Sequence, residues 1–219
     1  MNVIDAINSR STVRAFKPDP LDKGTILRIL EAATRAPSWG NSQPWELFVA
    51  GGDALDRLRE GYAVRMKHKE RRTLDIPAPR TWPRAVQEHM RLLLSVLARP
   101  ADTTRSKDEM QHAFLASNYR FFGAPVVVFL CMDRSLTSWS MFDMGALASS
   151  VMLAAQEYGV DSAIAINFAA FPDLIRAELG IPEHFAVLIG IALGFTDATE
   201  PHPRTPRRPL NDVVRCTGI

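Results

Sequence analysis

Two stretches, Arg10-Ser-Thr-Val-Arg-Ala-Phe16 and Ala36-Pro-Ser-Trp-Gly-Asn-Ser-Gln-Pro-Trp45, decide how this chain is read. The first sets two arginines four residues apart with hydroxyls between them. Alone, it reads as a pair of solvated arginines following a short helix over Val3 to Asn8. The second is dense in Pro, Gly, Asn and Ser, and alone it is a helix-to-strand connection. Between them, Asp22 is placed to cap a helix on which Ile26, Ile29, Leu30 and Ala33 share one face, and Ala36-Pro37 ends it.

Outward from these stretches the pattern alternates irregularly. Trp45 to Ala50 reads as a strand, and Gly51-Gly52-Asp53 turns into a charged helix through Arg59. Residues Tyr62 to Ser106 carry the least pattern. They are basic early (Arg65, Lys67, His68, Lys69, Arg71, Arg72), then proline-rich, with a helix expected over Ala85 to Leu97. This segment, about 62–106, is read as a lid-like insertion in a single domain spanning 1–219. A helix follows over Lys107 to Phe121. Val126 to Met132 is a continuous apolar run and reads as a buried strand. Trp139 to Tyr158 is a central helix rich in small residues, ended by Gly159 in the left-handed conformation. Ser162 to Ile166 and Ala186 to Leu193 are strands, and Pro172 to Leu179 is a helix with proline in its first turn. The tail after Phe195, with His202-Pro-Arg-Thr-Pro-Arg-Arg-Pro209, is expected to form no regular helix, as an extended arm or a disordered one. Helices and strands mix without strict alternation, which favours α+β over a doubly wound α/β sheet.

Composition excludes several functions. A formal net charge of +2 gives no ground for nucleic acid or an anionic membrane as partner. Cys131 and Cys216 support neither a disulfide framework nor a metal site, and the five histidines show no metal-ligand spacing. The polar segment Met1 to Phe16 lacks a signal-peptide core. The longest nearly apolar stretch, Met144 to Ala155, is roughly half of what spans a bilayer. A cytoplasmic protein is expected. No Rossmann fingerprint, Walker loop or nucleophile elbow is present.

Taken together and in this order, the two opening stretches resemble the flavin-binding signature of the nitroreductase superfamily. Asp143-Met-Gly145-Ala, Ala154-Ala-Gln-Glu-Tyr-Gly159, Leu179-Gly-Ile-Pro182, Ile189-Gly190 and Pro206-Arg-Arg-Pro-Leu210 extend the resemblance to most of the chain outside about Tyr62 to Ser106. It implies an α+β fold with a central mixed or antiparallel sheet flanked by helices, in an interlocked homodimer with a C-terminal arm. It implies flavin mononucleotide (FMN) as cofactor, with NADH or NADPH as electron donor and a small nitroaromatic or quinone acceptor. The chemistry is a ping-pong pair of two-electron transfers through flavin N5, so no protein nucleophile is required. Dehalogenation, enone reduction and flavin destruction on the same scaffold are the alternatives, with a non-catalytic flavin-binding or structural protein as the third reading.

The resemblance also assigns roles. Arg10 and Arg207 bind the phosphate, with Ser11 and Thr12 beside them, because guanidinium donors match phosphate oxygens in pairs. Arg14 stands where a fixed cation tunes the flavin, with a solvated arginine as its alternative. Pro37, Ser38, Trp39 and Asn41 lie against the flavin of the opposite protomer, where small residues permit backbone approach. Trp39 departs from the small residue common there. It narrows the acceptor pocket, stacks on an aromatic substrate or packs at the dimer interface. Ile164, Ala165 and Ile166 touch the flavin's far edge through backbone atoms only. Asn118 is a weaker candidate whose alternative is a polar helix residue. The basic run Arg65 to Arg72 reads first as a solvated helix face, and would also suit a 2′-phosphate.

Overall fold

In the computed structural model, which describes residues 1–97 and 106–218, four strands form one sheet: β1 (Glu46–Gly51), β2 (Val126–Asp133), β3 (Asp161–Ala165) and β4 (Phe185–Gly194). The strand order is β1-β2-β4-β3 and every neighbouring pair is antiparallel. Of the two arrangements expected, the named strands therefore take the antiparallel one. A lone parallel bridge, Thr12 to Ser162, lies outside them.

Continuous apolar runs suit this antiparallel sheet because helices cover both faces. Val126, Val128, Leu130 and Met132 of β2 pack with α2 (Lys23–Ala33) and α6 (Ser138–Glu157). The alternate residues Val127, Phe129 and Cys131 face the other side. There they meet α3 (Gly52–Lys67), α7 (Pro172–Leu179) and an aromatic group that includes Tyr62, Tyr119, Phe121, Phe168 and Phe171. One irregularity interrupts the ladder. Leu130 pairs with Ile189 while Cys131 pairs with Val187, so Leu188 is an extra residue that shifts which side chains of β4 face each core.

The chain divides into two compact units. The first, 1–78 and 106–202, holds the sheet together with α1 (Val3–Ser9) and α2, α3, α6 and α7. It also holds the helix Lys107–Tyr119, termed α5 below. The helix expected to stop at Arg59 continues through Tyr62, which is buried, to Lys67. The second unit holds α4 (Arg84–Leu97) and the tail. The portion of the expected insertion at 98–105 lies outside the described residues. In the tail, residues 202–209 are without helix, as expected of three prolines, but Leu210–Val213 forms one helical turn, α8, just past Pro209. Among the described residues no helix is long and apolar enough to cross a membrane.

Two further boundaries differ from expectation. The helix expected to reach Phe121 ends at Tyr119, because Phe121 and Phe122 both take φ 54° and drop their rings into the core. The strand expected to include Ile166 ends at Ala165, and Ile166–Ala169 forms a 3₁₀ turn. That turn folds over Gly190, where a Cβ would lie 2.7 Å from the Cβ of Phe168. The missing side chain is what lets the turn settle onto the sheet.

Candidate functional site

The Arg10–Phe16 segment is pinned along the outer edge of β3. The Val13 N–H donates to the Ser162 carbonyl at 3.1 Å, beside the Thr12–Ser162 bridge. The Phe16 N–H donates to the Phe122 carbonyl at 3.1 Å, and that of Lys17 to Phe195 at 2.8 Å. Val13 and Phe16 are buried anchors. Phe16 approaches Gly194, where a Cβ would lie 3.1 Å from its ring. Arg14, between these anchors, is half-buried, as are Arg10, Ser11 and Thr12 just before them.

The arginines here lack the partners that such burial calls for. The Arg14 guanidinium makes one long bond, 3.4 Å to the Thr12 carbonyl, and no carboxylate pairs with it among the described residues. Loss of hydration by burial pushes its pKa below the ordinary arginine value. Arginine still keeps its charge at neutral pH. Nor does Arg10 form an ion pair among the described residues. Beside them the Ser162 hydroxyl is buried with no hydrogen-bond partner. A desolvated cation and an orphaned hydroxyl on two adjoining segments suit an anionic ligand with hydrogen-bonding oxygens. These residues therefore fit a phosphate-bearing flavin.

The second stretch is held elsewhere, on α6. Trp39–Asn41 is a 3₁₀ turn in which Gly40 and Asn41 both take positive φ, 60° and 57°. The Ser38 hydroxyl accepts the Gln43 N–H at 3.0 Å, and the Asn41 N–H donates to the Ser38 carbonyl at 3.0 Å. The Trp39 N–H donates to both carboxylate oxygens of Asp143, at 3.3 and 3.2 Å. Pro37, Ser38 and Trp39 thereby line an open groove of about 490 Å³ with Trp139, Phe142 and Ala146. Trp39, Trp139 and Phe142 are 75%, 68% and 79% exposed. That is a large apolar area for one side of a helix.

The remaining expected residues are distributed as follows. Ile164 and Ala165 are half-buried at the end of β3, whereas the arginine segment meets the strand nearer its start, at Ser162. Ile166 is exposed. The Pro37–Asn41 loop makes no hydrogen bond to either among the described residues. Arg207 lies in the second unit, its guanidinium donating to the Thr205 hydroxyl at 2.6 Å and to nearby carbonyls. Asn118 is buried in α5, and its amide donates to the Phe114 carbonyl at 2.8 Å, as a polar helix residue does. Sequence reasoning missed Ser162, Asp143 and the pair Trp139 and Phe142. Of these only the last left a signal, aromatic residues three apart at the start of a helix apolar on most sides.

Known proteins bear on this geometry. The model of the Nitroreductase family matches residues 7–195. Nitroreductase NfnB of Mycolicibacterium smegmatis is 33% identical over 212 residues, covering 95% of this chain and 90% of that protein. A 4-nitrobenzoate reductase of Pseudomonas putida is 28% identical over 215 residues, covering 97% and 94%. The crystal structure of the FMN- and NADPH-dependent nitroreductase NfnB from Sphigopyxis sp. strain HMH superposes over the whole of both chains with a TM-score of 0.94 at 30% identity.

Proposed function

Because the chain belongs to the nitroreductase family, we propose that it is an FMN-dependent oxidoreductase that uses NADPH to reduce a nitroaromatic compound. The observation that carries this reading is Arg14, a half-buried guanidinium without an anionic partner among the described residues, on a segment pinned to β3 at Ser162. Bound flavin supplies the two-electron chemistry, from the nicotinamide donor to the nitro group. The protein's part is to bind, orient and exclude water.

In this reading Arg10, Ser11 and Thr12 hold the phosphate, and Arg207 of the tail is a second phosphate ligand. Arg14 lies at the ring edge that gains negative charge on reduction, where a fixed cation favours the reduced form. Ile164, Ala165 and Ile166 offer backbone groups to the opposite edge, their side chains keeping it dry. Pro37, Ser38, Trp39 and Asn41 complete the site of a second copy. The groove at Trp39, Trp139 and Phe142 is then the interface of a homodimer, with the tail as an arm across it. The domain reading remains one domain over 1–219 with a lid-like insertion at about 62–106. The setting is cytoplasmic and reducing, in keeping with two free cysteines, Cys131 buried and Cys216 exposed.

The test is direct. The purified protein should be yellow and should release FMN, not the dinucleotide, on denaturation. It should reduce nitrobenzene with NADPH faster than it dehalogenates a halogenated phenol. A colourless protein that FMN does not reconstitute would overturn the proposal.

A further inference from the structure

Arg72 differs from the other cations of its neighbourhood. Between residues 65 and 72 the chain carries Arg65, Lys67, Lys69, Arg71 and Arg72 against the single acid Glu70. Arg65 is neutralised, by Glu70 at 2.5 Å and by Asp173. Arg72 is exposed and meets no carboxylate among the described residues. Among the described residues its one hydrogen bond is to a neutral group, Nη1 to the Asn167 side-chain oxygen at 2.7 Å.

The backbone directly after Arg72 is held in place. The Thr73 N–H donates to the Ala170 carbonyl at 3.0 Å, which lays residues 72–73 along the Ile166–Ala169 turn. Asn167 is the residue directly after Ile166, at the strand end assigned above to the flavin's edge. The guanidinium is close enough to Tyr119 that its charge opposes the upward push of burial on that phenol. A guanidinium oriented by one side-chain oxygen keeps its other N–H groups for a ligand, in the planar fork that matches a carboxylate or a phosphate. Orientation in advance reduces the entropy lost on binding.

We propose that Arg72, held by Asn167, binds an oxyanion carried by a ligand of the flavin site, and so makes charge a basis of substrate choice. The inference rests on the functional reading above. The oxyanion comes from one of two sources: a carboxylate on an acidic nitroaromatic acceptor, or the 2′-phosphate of NADPH. Arg72 is a specificity-determining residue, and Asn167 positions it.

The experiment uses the flavin-loaded protein and its Arg72→Ala, Arg72→Lys and Asn167→Ala variants. The kinetic measurements are kcat/KM for 4-nitrobenzoate against nitrobenzene, and KM for NADPH against NADH. The binding measurement is the Kd of benzoate against benzamide, read from the flavin absorption spectrum without turnover. An acceptor carboxylate predicts that Arg72→Ala weakens 4-nitrobenzoate and benzoate by roughly tenfold, the scale of one charge-assisted hydrogen bond, and leaves nitrobenzene and benzamide unchanged. A 2′-phosphate predicts the same loss for NADPH with NADH unchanged. In either case Arg72→Lys keeps part of the preference and Asn167→Ala loses part of it. Charged and neutral ligands affected alike, or neither affected, would overturn the role of Arg72. Wild-type turnover of nitrobenzene in that case leaves the functional reading standing, whereas a wild type inactive on every nitroaromatic defeats that reading itself.

Discussion

The backbone N–H of Trp39 is held by the carboxylate of Asp143, 104 residues further along the chain, at 3.2 Å to the nearer oxygen. Asp143 is buried, so the acceptor that seats the loop on α6 is a largely desolvated charge. Asp143→Ala should lower the unfolding free energy by about 1.5–3 kcal/mol, the value of a hydrogen bond to a charged group. Asp143→Asn, which keeps one acceptor oxygen, should lose less. Urea unfolding, with hydrogen exchange at the Trp39 amide, checks both. An unchanged amide protection in the alanine variant would show that the bond does not seat the loop.

On the proposed role of Arg10 as a phosphate ligand, Arg10→Ala should weaken FMN binding by about 1.5–3 kcal/mol, the value of one charged hydrogen bond. Arg14→Ala should chiefly lower the flavin's midpoint potential, since the negative charge gained on reduction loses its fixed counter-charge. Equilibrium titration of the apoprotein and a redox titration separate the two effects. Equal potentials in wild type and the Arg14 variant would return that residue to a solvated role.

Gly190 marks where the Ile166–Ala169 turn crosses the sheet, with a hypothetical Cβ 2.7 Å from Phe168 Cβ and 3.4 Å from the Phe129 ring. Neither neighbour is the free end of a flexible side chain. Gly190→Ala should therefore cost about 1–3 kcal/mol through overpacking and shift the end of β3. Thermal unfolding gives the cost, and a drop in FMN affinity reports the shift. Wild-type stability in this variant would mean that the turn relaxes freely.

Asp75 ties three elements together. Its carboxylate accepts from Arg134 Nη2 and the Val187 N–H, both at 2.8 Å, and from Arg176. Burial works against its ionisation, but Arg134, the Val187 N–H and Arg176 together outweigh burial and hold its pKa below the ordinary carboxylate value. A depressed native pKa means stability that is present above the unfolded-state value and is lost as pH falls through the native one. The wild type should thus lose stability below about pH 4, the unperturbed carboxylate range. Asp75→Asn should be less stable at pH 7 by about 3 kcal/mol, because buried Arg176 loses its close carboxylate and keeps only the exposed Glu183 at 3.7 Å, and should show a shallower acid limb. Denaturation curves across pH 2–7 decide it, and parallel acid limbs would assign the acid sensitivity to other groups.

The exposed Trp139 and Phe142 beside the Trp39 loop lead to an expected dimer, with an interface above roughly 2,000 Å² if loop and tail both cross. Sedimentation of the flavin-loaded protein at low micromolar concentration should find no monomer. On the proposal that each site draws on two chains, Phe142→Asp should yield monomer and release flavin together. A stable flavin-loaded monomer of about 24 kDa would refute shared sites.

What the sequence determined by itself is local. The Asp22 cap on the Thr25 N–H, the left-handed Gly159 and the first-turn proline of Pro172–Leu179 each follow from one residue acting within a few positions, and each is observed. The arginine pair and the Pro37–Asn41 loop stand out in the sequence in the same local way, as short runs of residue types suited to a phosphate and to close backbone approach, and their role is a proposal. The tertiary structure decided what depends on partners distant in the chain. Leu188 slips out of register only against β2, and Phe121 and Phe122 take positive φ only because the core receives their rings. Ile166 leaves the sheet because Phe168 must settle over Gly190. Arg14 reads as a surface residue until Val13 and Phe16 are drawn into the core on either side of it. No local pattern announces such pairings, since hydrogen bonds and packing across a hundred residues are set by how the layers meet.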